Sequence, residues 1–130
     1  MLRRFLRAKI HHATVTQTDL DYVGSITIDE DLLRASGILP NEHVAIADLD
    51  NGVRFETYVF RGEPGSGVIG INGAAARLVE TGHRIIIFAY ADLVEDEIDT
   101  HAANVVVVDE RNRVAKTMSY PTSLQQPMSV

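Results

Sequence analysis

The sequence predicts a mainly β fold, a small β-barrel that carries short helices. Three observations support this prediction. Many apolar residues alternate with polar ones over short stretches, as they do in strands with one buried face. Glycine, asparagine and aspartate separate these stretches at short intervals, which is typical of turns between strands. Only two segments carry the end signals of a helix, so a doubly wound α/β architecture is not indicated.

The first predicted strand contains residues 6–11, in which apolar and polar side chains alternate. Its polar face is expected to carry three potentially cationic side chains, those of Arg7, Lys9 and His11. The alternation changes phase after His11-His12, which predicts a bulge at that point. Gly24-Ser25 then interrupts an extended stretch, and by composition alone this pair predicts a turn before a strand at 26–28.

A short helix and a hairpin follow. Asp29 is a suitable N-cap and Gly37 a suitable C-terminal stop, which predicts a helix between them. The clearest hairpin of the sequence joins residues 43–50 to residues 53–60 through an Asp-Asn-Gly turn. On its second strand, alternation places Arg54 and Tyr58 on the same face.

The second half of the chain predicts a glycine-rich loop, a strand, a short helix and two buried strands, at 61–67, 68–71, 72–82, 83–91 and 104–110. The chain has 130 residues, which suits one core, and residues 1–117 are expected to form a single domain. Residues 118–130 contain two prolines and no periodicity, which predicts a flexible tail.

Composition limits the partners and the chemistry. A net charge of −6 disfavours nucleic acid, whose phosphates require a basic surface. The chain has no cysteine, which excludes a thiol nucleophile and a zinc ribbon and favours a cytoplasmic location. No stretch approaches the ~20 apolar residues that span a bilayer, so no membrane is expected. The five histidines lack the spacing of metal ligands, so no metal is expected either.

Two glycine-containing motifs have ordinary structural explanations. Residues 65–70 match the G-x-G-x-x-G pattern, but they precede a strand instead of opening a helix, so they predict a loop and not a dinucleotide site. The Asn-Gly-Ala-Ala-Ala stretch at 72–76 fits a tight turn. It fits equally a ligand that lies against exposed backbone N–H groups.

Three polar side chains are also ambiguous when they are taken alone. Arg54 is expected to pair with Glu56 on the surface, and Tyr58 to be half-buried. Lys9 is more typical of a solvated strand lysine than of a residue that binds a carboxylate. By these residues alone the function stays undetermined.

The order and spacing of five motifs resemble those of the bacterial aspartate 1-decarboxylases. The motifs are KIHHATVT with Lys9 and His11, DYVGS with Gly24-Ser25, SGIL at 36–39, NGVRFETY with Arg54, Thr57 and Tyr58, and GVIGINGAAA at 67–76. They lie in family order within residues 1–91. Enzymes of this family depend on a pyruvoyl group and make β-alanine for pantothenate synthesis. The resemblance therefore implies decarboxylation of L-aspartate to β-alanine and CO₂.

The resemblance also implies a six-stranded double-psi β-barrel and a homotetramer with active sites between its subunits. It implies that the chain cleaves itself between Gly24 and Ser25 into residues 1–24 and 25–130. In such enzymes the serine hydroxyl attacks the preceding carbonyl to give an ester, and elimination and hydrolysis then leave a pyruvoyl group. Glycine at position 24 would suit this reaction because it tolerates unusual φ and ψ angles.

Roles for single residues follow from the same resemblance. Ser25 would supply the pyruvoyl group, which forms a Schiff base with the substrate, and Tyr58 would donate a proton. Thr57 would assist cleavage and later contact the substrate. Arg54 would bind a substrate carboxylate through its fixed fork, with help from Lys9. Further substrate contacts are implied for Asn72, Gly73, Ala74 and Ala75, and at the margin of the site for His11 and Tyr22.

The chain departs from the family pattern in two places. The region after residue 91 matches loosely, and Arg77 stands where many relatives carry histidine. Two alternatives to aspartate decarboxylation therefore stay open. One is a paralogue that decarboxylates another amino acid, and the other is a non-catalytic double-psi barrel that acts as a binding module and keeps Ser25 as serine.

Overall fold

The structure, a computed structural model, describes residues 1–127. Strands are the main element of this part of the chain, and its three helices have seven residues or fewer. The helices are α1 (Glu30–Ser36), a 3₁₀ helix (Gly73–Arg77) and α2 (Glu95–Ile98). The strands are β1 (Arg3–Thr14), β2 (Gln17–Asp19), β3 (Ser25–Asp29), β4 (His43–Asp48), β5 (Arg54–Gly62), β6 (Ile69–Asn72), β7 (Arg84–Leu93), β8 (Ala102–Val108) and β9 (Val114–Pro121).

These strands form one mixed sheet in the order β2-β6-β3-β5-β4-β7-β1-β8-β9. Only residues 15 and 16 separate β1 from β2, and the amide N–H of Thr16 donates to the carbonyl of Ile69 at 2.8 Å. The chain that leaves β1 therefore pairs with β6, and β6 leads back through β3, β5, β4 and β7 to β1. The sheet closes on itself, as a β-barrel does.

Aliphatic side chains from alternate strand positions fill the interior. Fully buried examples are Ile10, Ile26, Ile46, Val59, Ile71 and Ile87. Because successive side chains of a strand point to opposite faces, the residues between these positions lie on the outer face. The prediction for β5 is confirmed, since Val59 is buried whereas Arg54 and Tyr58 are exposed.

Helix α1 begins and ends where the sequence predicts. The carboxylate of Asp29 accepts the N–H of Asp31 at 2.8 Å, and Gly37 ends the helix with a φ of 81°. The same buried carboxylate accepts the N–H groups of Gly65 and Gly67 at 3.0 and 2.7 Å. Asp29 therefore caps α1 and also holds the glycine-rich loop between β5 and β6.

The predicted bulge after His11-His12 is confirmed. The register of β1 against β7 shifts between His11 and Ala13, and His12 has a φ of 69°. Positive φ is uncommon for a residue other than glycine, so His12 absorbs the irregularity. The two imidazole rings stack with their centroids 3.9 Å apart.

A second irregularity in β1 was not predicted. The register also shifts between Leu6 and Ala8, so Arg7 is the extra residue. Its guanidinium forms an ion pair with Glu42. Of the three predicted cations, Arg7 lies at this irregularity with its charge paired, whereas Lys9 and His11 keep their register on one face of β1.

The predicted start of the C-terminal tail is also wrong. Residues 118–121 belong to β9, which pairs with β8 so that Met118 lies opposite Val105. Strand β9 lies at the edge of the sheet and most of its residues are exposed, so it has no apolar period for the sequence to display. Thr122 is also attached, since its hydroxyl hydrogen-bonds to His101 at 2.7 Å. Residues 128–130 of the predicted tail lie outside the described residues.

The turn between β8 and β9 is attached to the barrel by Asn112, which is 1 % exposed. Its side-chain amide donates to the carbonyls of Thr14 and Gly67 at 2.9 and 2.8 Å, and its oxygen accepts the N–H of Thr14 at 2.8 Å. The C-terminal hairpin is thereby held against the end of β1 and the glycine-rich loop.

The mainly β fold with short helices is confirmed, although the helix predicted over 72–82 ends at Arg77 and α2 was not predicted. Residues 1–127 form nine strands, and the count of six is not confirmed. The double-psi topology and the single domain over 1–117 stay predictions. No helix within residues 1–127 has the length and apolar character needed to cross a bilayer.

Candidate active site

Ser25 opens β3 and is 1 % exposed. Its hydroxyl oxygen accepts an N–H from the side-chain amide of Asn72 at 3.0 Å, and the hydroxyl donates to the carbonyl of Val23 at 3.2 Å. The amide of Asn72, itself 3 % exposed, also donates to the hydroxyl of Thr27 at 3.0 Å. Ser25 and Asn72 are paired in the β3–β6 ladder, so the backbone and the side chains together fix the serine hydroxyl.

Gly73 lies against Gly24, the residue that precedes the bond predicted to break. It has a φ of 76°, and a Cβ atom built on it would lie 2.6 Å from the Cα and 3.0 Å from the nitrogen of Gly24. Gly24 does not have a positive φ, and a Cβ atom there would meet nothing closer than the carbonyl oxygen of Asn72 at 3.9 Å. In this structure the backbone conformation and the space at Gly24 do not require glycine. The requirement falls on Gly73.

Tyr58 is the neighbour of Ser25 on the adjacent strand. Strands β3 and β5 are parallel with Ile26 opposite Val59, so one step back along both strands places Ser25 level with Tyr58. Because Ile26 and Val59 both point into the core, Ser25 and Tyr58 both lie on the outer face. Tyr58 is 37 % exposed, whereas Ser25 is 1 % exposed.

Thr57 lies one residue before Tyr58, level with Gly24, and is partly buried on the opposite face of β5. Within residues 1–127 its hydroxyl forms no hydrogen bond to Gly24 or Ser25. The position of Thr57 next to the bond is thus set by the strand register, whereas its predicted role stays a prediction.

The outer face of β5, β4, β7 and β1 carries the predicted cationic residues. One row across these strands consists of Arg54, Ala47, Ile86 and His11. The next row consists of Glu56, Ala45, Phe88 and Lys9. The cations lie on the two outer strands of this face, and small alanine side chains lie on β4 between them.

Arg54 does not pair with Glu56. Its guanidinium carbon lies 5.8 Å from the ring centroid of Phe88, and Glu56 instead meets the imidazole of His43 at 3.1 Å. Among the ion pairs formed within residues 1–127, none involves Arg54 or Lys9. Both charges are therefore available to an anionic ligand.

One chain does not bring all of the predicted residues together. Arg54 and Tyr58 are four residues apart on β5, which separates their Cα atoms by ~13 Å at the rise of a strand. Since Tyr58 is level with Ser25, Arg54 lies at a comparable distance from the serine. The chain thus presents two clusters, one around Ser25 and one around Arg54 and Lys9.

Comparison with known proteins identifies the family to which this chain belongs. The sequence model of the family described as aspartate decarboxylase matches residues 1–115. The chain belongs to this family. A protein of Neisseria meningitidis named aspartate 1-decarboxylase is 56% identical over 120 residues, which are 92% of this chain and 94% of the relative.

Two further relatives carry the name aspartate 1-decarboxylase. One from Caldicellulosiruptor saccharolyticus is 55% identical over 89% of this chain and 91% of its own length. One from Staphylococcus aureus is 59% identical over 86% of this chain and 88% of its own length. The family match extends to residue 115 and so includes much of the region after residue 91 that the motifs left uncovered.

The resemblance to the aspartate decarboxylases also predicts site roles for four further residues, which are His11, Tyr22, Ala74 and Ala75. His11 has a buried Nδ1 atom without a hydrogen-bond partner among the described residues. Burial lowers the pKa of His11, and the neighbouring His12 and Lys9 lower it further, which favours a neutral imidazole. Tyr22 is exposed and its ring meets the edge of Phe60, with 6.1 Å between the centroids.

Ala74 and Ala75 follow Gly73 in the 3₁₀ helix, where Ala74 is exposed and Ala75 is half-buried. The predicted contacts of these residues with a substrate stay predictions.

A third polar group lies at the far end of β4. Asp48, Asp50 and His83 offer oxygen and nitrogen atoms within 4.8 Å of one another. Asp48 already accepts the N–H of Asp50 and hydrogen-bonds to His83, each at 2.7 Å, and Asp50 accepts the N–H of Arg84. The hydrogen bond to Asp48 raises the pKa of His83. The group is thus explained as the framework of the hairpin turn.

Proposed function

We propose that this chain is the precursor of an enzyme that decarboxylates L-aspartate to β-alanine and CO₂ for pantothenate synthesis, with a pyruvoyl group made from Ser25. One observation carries the proposal. The hydroxyl of Ser25 is buried, is hydrogen-bonded to Asn72, directly follows Gly24 and lies level with Tyr58. Membership in the aspartate decarboxylase family supports the same function.

Maturation starts at the hydroxyl of Ser25. Its oxygen attacks the carbonyl carbon of Gly24, the C–N bond breaks, and the proton moves from oxygen to nitrogen, which converts the amide to an ester. Asn72 holds the oxygen in place through its N–H, and Thr57 is proposed to donate to the carbonyl oxygen as it becomes negative. Elimination then frees the carboxyl group of Gly24, and hydrolysis with loss of ammonia leaves a ketone at position 25.

The surroundings of Ser25 fit a pyruvoyl group. The position is buried, the N–H of Asn72 is directed at the Ser25 oxygen, and Gly73 has no side chain that would fill the adjacent space. Asn72 and the backbone of residues 73–75 would hold the group. Such a ketone supplies an electrophile for the substrate amine and takes up the electron pair left when CO₂ departs.

Tyr58 is proposed to supply the proton that replaces CO₂. Tyr58 is level with Ser25 on the same face of the sheet, and its O–H is proposed to protonate the carbon that has lost the carboxylate. The phenol is also half-exposed, so it can recover a proton from water after each turnover. This placement supports the role of proton donor.

Arg54 and Lys9 are proposed to bind the side-chain carboxylate of aspartate, which the reaction retains. A cation that holds the departing carboxylate would stabilise the ground state more than the transition state, because that charge disperses as CO₂ forms. Cations on the retained carboxylate bind both states equally and set the position of the substrate. Arginine suits this task through its bidentate fork.

The distance between the two clusters supports an assembly in which subunits share a site. Arg54 lies on the order of 13 Å from the level of Ser25 within one chain, which exceeds the length of aspartate. We propose a homotetramer in which one subunit supplies Ser25 and Tyr58 and a second subunit supplies Arg54 and Lys9. The cytoplasmic location stays a prediction.

The mass of the purified protein tests maturation. We expect two chains, residues 1–24 and residues 25–130, with the longer one lighter by one ammonia than a chain that begins with serine. The Ser25→Ala variant is the matched control and should remain a single chain. Wild-type protein that stays uncleaved after prolonged incubation would contradict the proposal and favour a binding module.

Borohydride reduction in the presence of labelled aspartate tests the chemistry. A ketone enzyme should become labelled on the chain of residues 25–130, and Ser25→Ala should not. Release of CO₂ from aspartate and from glutamate, measured side by side, then identifies the substrate. Cleaved protein that acts on glutamate and leaves aspartate unchanged would assign the chain to another acidic amino acid.

A further inference from the structure

Phe88 lies on the outer face between Arg54 and Lys9. Neither of these cations forms an ion pair with a carboxylate within residues 1–127. Strand register places Phe88 directly beside Lys9 on β1 and beside Ala45 on β4. From the other direction, the guanidinium carbon of Arg54 approaches its ring centroid to 5.8 Å. The ring is thus approached by the guanidinium of Arg54 and shares its row of the sheet with Lys9.

Small side chains on β4 make the contact of Arg54 with Phe88 possible. Strands β5 and β7 lie on either side of β4, so the backbones of Arg54 and Phe88 are separated by roughly 10 Å of sheet that their side chains must bridge. The residues of β4 that lie between Arg54 and Phe88 on this face are Ala45 and Ala47, and Ala47 is only 8 % exposed although it points outward. A larger side chain at either position would occupy the path of the guanidinium.

Tyr90 holds the ring of Phe88 from the other side. The two rings stack with their centroids 6.3 Å apart and their planes at 17°. Both lie on the outer face of β7, where successive outward positions are two residues apart. The ring of Phe88 is thus packed against Tyr90, which limits its rotation.

We infer that Phe88 is a positioning residue that holds Arg54 beside Lys9, so that the two cations form one site for the retained carboxylate of an acidic amino acid. This inference rests on the proposed function of Arg54. An arginine side chain loses substantial rotamer freedom when it is immobilised. If the ring of Phe88 already orders the guanidinium in the free enzyme, less side-chain entropy is lost when the substrate binds.

The kinetics of Phe88→Leu and Phe88→Tyr test the inference. Leucine keeps much of the apolar volume without an aromatic face, whereas tyrosine keeps the face. We expect Phe88→Leu to raise KM for aspartate by about two- to five-fold with kcat per pyruvoyl group unchanged, which is the range of an exposed cation–π contact. Phe88→Tyr should restore the wild-type KM. An unchanged KM in Phe88→Leu would overturn the inference.

A double-mutant cycle separates this inference from the proposed function. The value of kcat/KM is measured for Arg54→Ala with and without Phe88→Leu. If Phe88 acts through Arg54, the second substitution should have no further effect in the Arg54→Ala enzyme. An equal loss in both backgrounds would overturn the inference and leave the role of Arg54 intact, whereas a wild-type kcat/KM in Arg54→Ala would remove the proposed role of Arg54 itself.

Phe5→Leu is the matched control. Phe5 packs against the ring of His101, with 5.6 Å between the centroids, and is only partly exposed, as Phe88 is. It contacts neither cation. The extent of chain cleavage, measured by mass, should be the same in both leucine variants, so a change in KM confined to Phe88→Leu reports on the cation site. An equal rise of KM in Phe5→Leu would show a general structural effect and overturn the inference.

Discussion

The backbone of Gly73 lies so close to Gly24 that a Cβ atom on Gly73 would be 2.6 Å from the Cα of Gly24. Gly73→Ala must therefore displace the backbone of Gly24, next to the bond that is proposed to break. We expect cleavage to slow on the order of 100-fold, because displacements of about 1 Å can have effects of that size on an aligned reaction. The positive φ adds a loss of stability of about 1–2 kcal/mol. The measurement is a time course of intact mass on newly purified protein.

Gly82→Ala separates the two effects of Gly73→Ala. Gly82 has a φ of 95°, but a Cβ atom there would meet nothing within 4 Å. This variant should lose a similar amount of stability and still cleave at the wild-type rate. Equal cleavage rates in the two alanine variants would show that the contact with Gly24 does not control the reaction.

Asn72 controls the orientation of the Ser25 hydroxyl. Asn72→Ala removes the N–H donated to Ser25 and the one donated to Thr27, each at 3.0 Å. We expect cleavage to slow by at least about tenfold. In the Ser25→Ala background, where only the hydrogen bond to Thr27 remains to be lost, the free energy of unfolding should fall by about 1–3 kcal/mol. Cleavage is measured by mass, and stability by urea denaturation of each variant in a Ser25→Ala background.

Thr27→Val is the control for Asn72→Ala. It removes one of the two hydroxyl partners of Asn72 and leaves the hydrogen bond to Ser25 in place. Its cleavage rate should match that of the wild type. If Thr27→Val slows cleavage as much as Asn72→Ala does, then general packing around β3 and not the serine hydrogen bond is responsible.

Local features of the fold could be predicted from the sequence because their causes are local. The cap at Asp29, the stop at Gly37 and the hairpin around residues 50–52 each depend on a few adjacent residues. The bulge after His11-His12 was also visible, since a bulge reverses the alternation of apolar residues. The resemblance to the family then placed Gly24 and Ser25 among the site residues.

The contacts within the site could not be predicted, because they depend on strand register. Asn72 meets Ser25 across 47 residues of sequence through the β3–β6 pairing. The sequence suggested Glu56 as the partner of Arg54, whereas the order of β5, β4 and β7 gives it Phe88. The alternation that puts aromatic residues at 88 and 90 on one face was the available signal for that surface. Strand β9 was not predicted because most of its residues are exposed, so apolar residues do not recur along it at every second position.

Tyr58→Phe tests the assignment of the proton donor. The substitution removes one hydroxyl and keeps the ring, so cleavage at Gly24-Ser25 should proceed and the mature enzyme should lose turnover. General acid catalysis is worth about 10²- to 10⁴-fold, and we expect kcat for β-alanine formation to fall by that factor. The measurement is product formed per cleaved chain, so that incomplete maturation does not count as lost activity.

Tyr120→Phe is the matched control for Tyr58→Phe. Tyr120 lies on β9 opposite Ala103, away from both clusters, and the variant should retain kcat. A Tyr58→Phe enzyme with full turnover would remove Tyr58 from its proposed role. A Tyr58→Phe chain that fails to cleave would move that role from turnover to maturation.

The pair of His83 and Asp48 predicts a dependence of stability on pH. The hydrogen bond with Asp48 raises the pKa of His83 above the ordinary value of 6.5, so the folded chain binds this proton more tightly than the unfolded chain does. The stabilisation is complete below about pH 6.5 and is lost as pH rises through the pKa of the folded state. We expect the free energy of unfolding, measured by urea denaturation in the Ser25→Ala background, to fall relative to His83→Asn over that interval.

His43→Asn is the matched control for His83→Asn. His43 meets Glu56 on the surface at 3.1 Å, where an ion pair contributes little to stability because water screens it. The difference in unfolding free energy between the parent chain and His43→Asn therefore reports the effect of replacing an exposed histidine outside the His83–Asp48 pair. The difference between the parent chain and His83→Asn should shrink as pH rises, since asparagine can keep a hydrogen bond to Asp48 without titrating. A difference for His83→Asn that stays constant or grows with pH would contradict the assignment of this proton to the His83–Asp48 pair.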